Sequence, residues 1–384
     1  MKEQLLRDVF SIRGRFHRSV QLERDWIDQR GLQDYLLTTT ARELSVQIFS
    51  GAYGKHGPRA WSVTGPYGSG KSAFALFLTD LMSSNPPRHE QAQNIKLELG
   101  FDPRPFAAVP IIGQRTSLVS ELLSGLQTNL GKILPQNHYR AQANIINRRN
   151  GNRALSKAFE LSAVAARDNG YAGLLVIVDE FGKFLEHAAQ NPEDVDLLIL
   201  QDLAEMAARS EVPIVLVTIL HSAFDEYLGP LDESRRMEWQ KVQGRFADIA
   251  FLEPPDQFLR LIGSAIECVD TKTDTCSRYT QISSDLALSD IALEASRRMA
   301  LDTLVPACAP LHPWTALLLW PLFRSKLAQN ERSLFAFLVD HGPFGFQDFL
   351  NATPTSPGLP TFYTLDLLYE YVATTLGPAT LLGN

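Results

Sequence analysis

The chain has little cysteine, no long apolar run and no surplus of positive charge. Its three cysteines, Cys268, Cys276 and Cys308, are odd in number and lack any paired metal spacing. They fit a reducing cytosol and carry no catalytic signal. The longest apolar stretches, Gly173–Val178, Val212–Leu220 and Trp314–Phe323, fall well short of the roughly 20 residues a bilayer crossing requires. Met1–Arg15 alternates charges with short apolar runs and has neither an h-region nor a small-residue cleavage site. A cytoplasmic protein without a membrane partner is expected. A net charge of −7 excludes a chain that is one broad nucleic-acid-binding surface. Internal repeats and low-complexity tracts are also missing, which excludes solenoids and arrays.

What is present is an ordinary globular composition. Hydrophobic residues make up 45% and charged residues 21% of 384 residues, far from the corner where chains stay disordered, and the length favours two or three domains. One local basic stretch stands out. Lys132, Arg140, Arg148, Arg149, Arg153 and Lys157 follow one another with no acid among them, reading either as a solvated basic helix and loop or as a contact for a polyanion such as DNA.

Apolar runs and breakers alternate strand with helix. Strand-like runs occur at Ala60–Thr64, Phe106–Ile112, Leu174–Val178, Val212–Ile219 and Ile249–Leu252. Helical patterns lie at Lys71–Leu81, Leu118–Leu130, Asn152–Arg167, Glu193–Ala208 and Glu233–Val242. Parallel neighbours must be joined by crossovers, so this order predicts an α/β fold with a parallel sheet covered by helices. After Glu253-Pro254-Pro255 the strand signals stop. Helical patterns take over at Gln257–Ile266, Asp290–Ala300, Trp314–Leu327 and Glu331–Val339, and the two prolines read as a hinge before an all-α domain. The expected organisation is a lead-in over 1–41, an α/β domain over 42–253, a helical domain over 254–350, and a linker with the start of a further region over 351–384. The helix expected at Phe362–Ala373 has no obvious partner before the sequence ends, which suggests a piece of a longer protein.

Two motifs carry chemistry. Gly65-Pro66-Tyr67-Gly68-Ser69-Gly70-Lys71-Ser72 is a G-x-x-x-x-G-K-S phosphate loop placed after a strand and opening a helix that continues with Ala73. Glycines let the backbone wrap with its amides inward, making a nest for phosphate oxygens at a helix N-terminus. Lys71 is expected to reach the β- and γ-phosphates of ATP and the Ser72 hydroxyl to ligate Mg2+. Leu174–Val178 ends in Asp179 and Glu180, acids at the tip of an otherwise buried strand. Asp179 would hold magnesium and Glu180 would orient and deprotonate the attacking water; the plainer reading is that both acids cap the following helix.

Other positions leave alternatives open. Val212–Ile219 should lie between the strands bearing the two motifs, and of the polar residues at its end, Thr218, His221 and Ser222, His221 first and Thr218 next are expected to contact the γ-phosphate or the lytic water. Arg245, after Gly244, reads either as a finger reaching a neighbouring subunit's γ-phosphate or as half of an internal salt bridge. Arg332, opening the Leu334, Phe335 and Leu338 helix, reads as a nucleotide sensor or as a solvated helix-start arginine.

The phosphate loop, the Asp179-Glu180 tip, the polar strand end near His221, the Arg245 position and the helical lid occur in the order of the AAA+ ATPases. The resemblance covers about Arg42–Leu350, and the lid, with its arginine, looks most like that of the origin-recognition and initiator-like branch. More narrowly, residues 61–72, Trp239–Phe246 and Gln329–Phe335 look similar to ATPase modules of large BREX-type phage-resistance proteins, with Phe16–Trp26 fitting their lead-in. The resemblance implies an oligomeric motor or switch in antiviral defence that acts on DNA or a protein partner. It departs from the family in the surroundings of Arg245 and in having His221 where Asn or Thr is usual. An ATP-gated switch that turns over slowly for a C-terminal effector is the second expectation. A small-molecule kinase is disfavoured, since no acceptor site is seen, and an ABC-type ATPase lacks its Leu-Ser-Gly-Gly signature.

Overall fold

A computed structural model describes residues 4–14, 20, 22–28, 32, 35–54, 57–100, 103–134, 152–191, 198–222, 227, 242–270, 274–290, 302–324, 334–355 and 359–376. The strands are β1 (Phe10–Ile12), β2 (Ala60–Thr64), β3 (Ala107–Ile112), β4 (Leu174–Asp179), β5 (Ile214–Leu220), β6 (Ala247–Ala250) and β7 (Ile266–Cys268). The first helices are α1 (Leu22–Asp28), α2 (Thr39–Tyr53), α3 (Lys71–Ser83), α4 (Glu90–Leu99), α5 (Leu118–Ile133), α6 (Asn152–Asp168), α7 (Gly182–Gln190) and α8 (Leu198–Arg209). There follow α9 (Pro255–Ala265), α10 (Thr275–Asp290), α11 (Pro313–Arg324), α12 (Leu334–Val339), α13 (Phe346–Ala352) and α14 (Leu365–Leu376).

The chain divides into two compact units, residues 20–65 with 70–252, and residues 1–19 with 66–69 and 253–384. The first is an α/β unit around a five-stranded sheet of order β3-β4-β5-β2-β6, parallel throughout. All six residues of β4 and all seven of β5 are buried, as strands covered on both faces must be. Alternation along each strand then feeds two cores. Leu174, Val176, Val178, Ile214 and Leu216 face a layer containing Leu122, Leu126, Phe159 and Leu203. Leu175, Ile177, Val215, Val217 and Ile219 face Ile48, Phe49, Phe74 and Phe77. The strand carrying the polar end, β5, lies between β4 and β2, as its sequence position suggested.

The second unit is helical, with a single core through Leu259, Ile262, Phe337, Phe346 and Tyr363. It also contains strand structure, contrary to the expectation that strands stop at Pro255. β1 pairs antiparallel with β7 in the register Phe10↔Cys268 and Ile12↔Ile266. Each strand has three residues, too few for an alternation to register, and the partners lie more than 250 positions apart. The first residues are bound in as well: Leu6 N–H donates to the Thr353 carbonyl and Thr355 N–H to that of Gln4, at 2.9 and 2.7 Å. Pro254 and Pro255 are the N-cap and first residue of α9, where a missing N–H costs nothing.

A second difference concerns cysteine. Cys268 and Cys276 form a disulfide, bringing the end of β7 against the first turn of α10, where the sequence predicts the free thiols of a reducing cytosol. Cys308 is free and buried, and burial pushes its thiol up to about 12. Among the described residues no helix is long and apolar enough to cross a membrane. The helices expected at Glu233–Val242 and Asp290–Ala300 lie almost wholly outside the described residues.

Candidate functional site

The site is built at the carboxyl ends of β2, β4 and β5. β2 ends at Thr64 and the phosphate loop follows. Gly65 N–H donates to the Leu220 carbonyl at 3.2 Å, tying the loop's first residue to the end of β5. The loop reaches α3 through Gly70, whose φ of +89° makes it a left-handed N-cap; an L side chain there would be strained. Phe74 N–H donating to the Gly70 carbonyl at 2.9 Å closes the first turn. Within the loop Gly68 also has positive φ, Ser69 N–H donates to the Pro66 carbonyl, and Tyr67 is exposed.

Lys71 is only 4% exposed although it is the first residue of a helix. Its Nζ donates to the Gly65 carbonyl at 2.6 Å, which folds the ammonium back into the loop. Burial lowers its pKa to about 8, and the Asp179 carboxylate works against that shift. An ammonium this desolvated gains strongly from any anion that reaches it.

Asp179 is the last residue of β4 and is buried. Burial pushes its carboxyl up, while hydrogen bonds from the Ser72 hydroxyl and the Glu180 amide, and the charge of Lys71, oppose that rise. The amide contact, Glu180 N–H to Asp179 Oδ1, measures 2.8 Å. Ser72 and Asp179 come from sequence positions more than a hundred residues apart and present a hydroxyl and a carboxylate to one point. Two hard oxygen ligands of this kind, completed by phosphate oxygens and water, fit magnesium. Ala73, the next residue, continues α3.

Glu180 turns the chain out of the sheet with φ of +52°, a left-handed conformation that costs of order ~1 kcal/mol in a residue with a side chain. The turn is held by its neighbours. Gly113 N–H donates to the Asp179 carbonyl, Phe181 N–H to that of Ile219, and Lys183 N–H to that of Glu180. The Glu180 carboxylate is 36% exposed and ion-paired with Lys183 in the first turn of α7. Sequence reasoning passed over Lys183. Its i,i+3 spacing from Glu180 is the local signal that could have found it.

His221 follows β5 directly and is half-buried. Burial, then the charges of Lys71 and Lys183, lower its imidazole pKa to about 3, so the ring is neutral at every physiological pH. Thr218 lies inside the sheet, with its hydroxyl donating to the Trp61 carbonyl at 3.2 Å; that bond satisfies it as a strand residue. The structure therefore brings Gly65, Lys71, Ser72, Asp179, Glu180 and His221 together.

Arg245 is placed elsewhere. It pairs with Glu205 of α8 at 3.3 Å and is half exposed, the internal salt bridge of the two readings. Arg332 lies outside the described residues. So do Arg140, Arg148 and Arg149 of the basic stretch, and the side chain of Arg153. At its two ends, Lys132 donates to Asn129 and sits over the Trp26 ring, while Lys157 pairs with Glu160.

No protein-family model matches the chain and no curated protein does. Among solved structures it is similar to the Aeropyrum pernix ORC2 protein in its ADPNP–ADP complexes. The identity is 15% and the TM-score 0.38, covering 78% of this chain and 65% of that one. It is also similar to the Aeropyrum pernix ORC1 protein in complex with DNA, at 14% identity and a TM-score of 0.36, covering 77% of this chain and 63% of that one. The chain thus spans less than two thirds of the length of either.

Proposed function

We propose that the chain is an AAA+ type ATPase that binds ATP with magnesium at Gly65–Ser72 and hydrolyses it with Asp179 and Glu180. The observation that carries this is the meeting of Lys71, Ser72 and Asp179 from two strand ends that a third strand separates. A buried ammonium, a hydroxyl and a carboxylate so arranged have no need of one another for packing, but match a triphosphate and its metal.

The binding step falls to the loop amides and Lys71. The ammonium exchanges the Gly65 carbonyl for β- and γ-phosphate oxygens, regaining the charge partner that burial denies it. Ser72 and Asp179 would hold magnesium, which when bound neutralises charge on those oxygens. Glu180 leaves Lys183 to take the proton of the attacking water, and neutral His221 donates or accepts a hydrogen bond at the γ-phosphate or that water. The Glu180–Lys183 pair also favours a second reading, a slow ATP-gated switch whose base is held back between turnovers.

The finer parts of the proposal rest on the family resemblance. They are a homo-oligomer in which Arg245 and Arg332 act on nucleotide, a DNA or protein substrate, and a place in phage defence in the cytoplasm. The Arg245–Glu205 pair is half exposed, and such pairs are worth only about 0–1 kcal/mol, so it yields readily to a neighbour's phosphate. The deciding measurement is ATP affinity by calorimetry with and without magnesium. The parent should bind and Lys71→Ala should lose about a hundredfold or more in affinity; equal affinity in the two would remove the phosphate loop from the reading.

A further inference from the structure

Tyr227 belongs to neither motif, yet it touches both strand ends that carry the proposed hydrolytic groups. Its hydroxyl oxygen accepts the amide N–H of His221 at 3.0 Å and that of Ser222 at 3.1 Å. These are the first two residues beyond β5. Two successive amides aimed at one oxygen make a small concave donor site, filled here by a side chain of the same protein. A phenol oxygen in that place fixes the direction in which the chain leaves the strand, and with it the point from which the His221 ring is hung.

The other side of the ring meets the helix after β4. Gly182 opens α7, and a Cβ added there would run into Cε1, Cζ and Oη of Tyr227. Glycine is needed at this position for close approach, since its φ is not in the left-handed region. Gly182 follows Glu180 by two residues, just after the turn at φ +52°. The ring also packs on the core face that contains Phe181 and Phe184. One side chain therefore spans the exit from β4, where Glu180 stands, and the exit from β5, where His221 stands.

We propose that Tyr227 is a positioning residue that sets the distance between Glu180 and His221, and so the alignment of water with the γ-phosphate. The inference rests on the ATPase reading. Its action is on the chemical step rather than on nucleotide affinity, because its contacts lie at the exits of β4 and β5, whereas phosphate binding falls to Lys71, Ser72 and the loop amides.

The test uses the full chain as parent, Tyr227→Phe, His221→Ala and the double variant. Steady-state ATP hydrolysis is measured together with amide hydrogen exchange at residues 221–222. Tyr227→Phe keeps the ring and removes the acceptor. It should lower kcat about tenfold with KM within about twofold of the parent, and speed exchange at both amides. In the His221→Ala background the same substitution should cost nothing further, since the two act as one unit. Parental kcat in Tyr227→Phe, or a full additive loss in the double variant, would overturn the proposal and leave the ATPase reading intact. A parent without turnover would instead sink the ATPase reading and, with it, the catalytic part of this one; unchanged exchange at 221–222 in Tyr227→Phe would then remove the positioning contact as well.

Discussion

The two units bury different things. In the sheet unit Asp25, Lys71, Asp80, Lys96 and Asp179 are all buried charged side chains, whereas the helical unit buries no charged side chain among its described residues. Some of the buried charges have a structural use. The Asp80 carboxylate accepts the amides of Arg88 and His89 at 2.9–3.0 Å, and Lys96 donates to the Ser84 carbonyl at 3.0 Å. At Lys71 and Asp179 burial shifts each group against its ordinary charge state. A fold tolerates such desolvation only where another interaction offsets it. The helical unit, with Phe337 packed against Phe346, Tyr363 and Tyr371, is built for packing instead.

That contrast can be broken or sharpened by substitution. The largest effect is expected at the sheet tip. Glu180→Gln removes the base without changing shape and should lower kcat by about a thousandfold while ATP binding persists, measured by steady-state turnover beside calorimetry. Hydrolysis equal to that of the parent would take the base role from Glu180. In the helical unit Phe337→Ala should cost about 3–5 kcal/mol of stability, read by denaturant unfolding, with no loss of ATP affinity at concentrations where the protein stays folded. A parallel loss of affinity would erase the division between a packing unit and a chemical one.

Acid should separate them further. The His221 imidazole is held to about 3 against an ordinary 6.5. Between those values the unfolded chain binds a proton that the folded chain refuses, so this contribution is complete above about pH 6.5 and is lost as pH falls toward 3. His221→Asn should flatten the fall of melting temperature between about pH 6.5 and 4. An unchanged slope would mean that the ring is not withheld from protonation. The smallest effect belongs to Arg245→Ala, which should move stability by no more than about 1 kcal/mol but abolish any rise of specific activity with protein concentration. Retention of that rise would confine Arg245 to its pair with Glu205.

Much of the sheet was legible. β2 was read to the residue, and β3, β4, β5 and the helices α3, α5 and α6 to within a few, because buried parallel strands write continuous apolar runs and their crossover helices write a 3.6-residue period. The two motif strings were equally plain, since phosphate binding requires glycine backbone and a lysine at one spacing. Less legible was the helical unit. The ribbon β1–β7 and the start of α14 at Leu365, three residues later than expected and just after Tyr363 bridges to Leu311, depend on partners remote in sequence, and the Cys268–Cys276 bond depends on how the chain turns between β7 and α10. Thr218 shows the same limit at a single residue: position near a strand end suggested a contact with phosphate, and the neighbouring strand's carbonyl took its hydroxyl.

The sequence by itself determined the alternation of strand and helix, the phosphate loop and the acids at the end of β4, because each is encoded by residues adjacent along the chain. Tertiary structure alone decided that Ser72 meets Asp179, that burial lowers the Lys71 and His221 pKa values, that Arg245 turns to Glu205 and that Tyr227 bridges two strand ends. Those outcomes depend on which distant groups share a small volume and how much water is left there, and no local pattern of residues records either quantity.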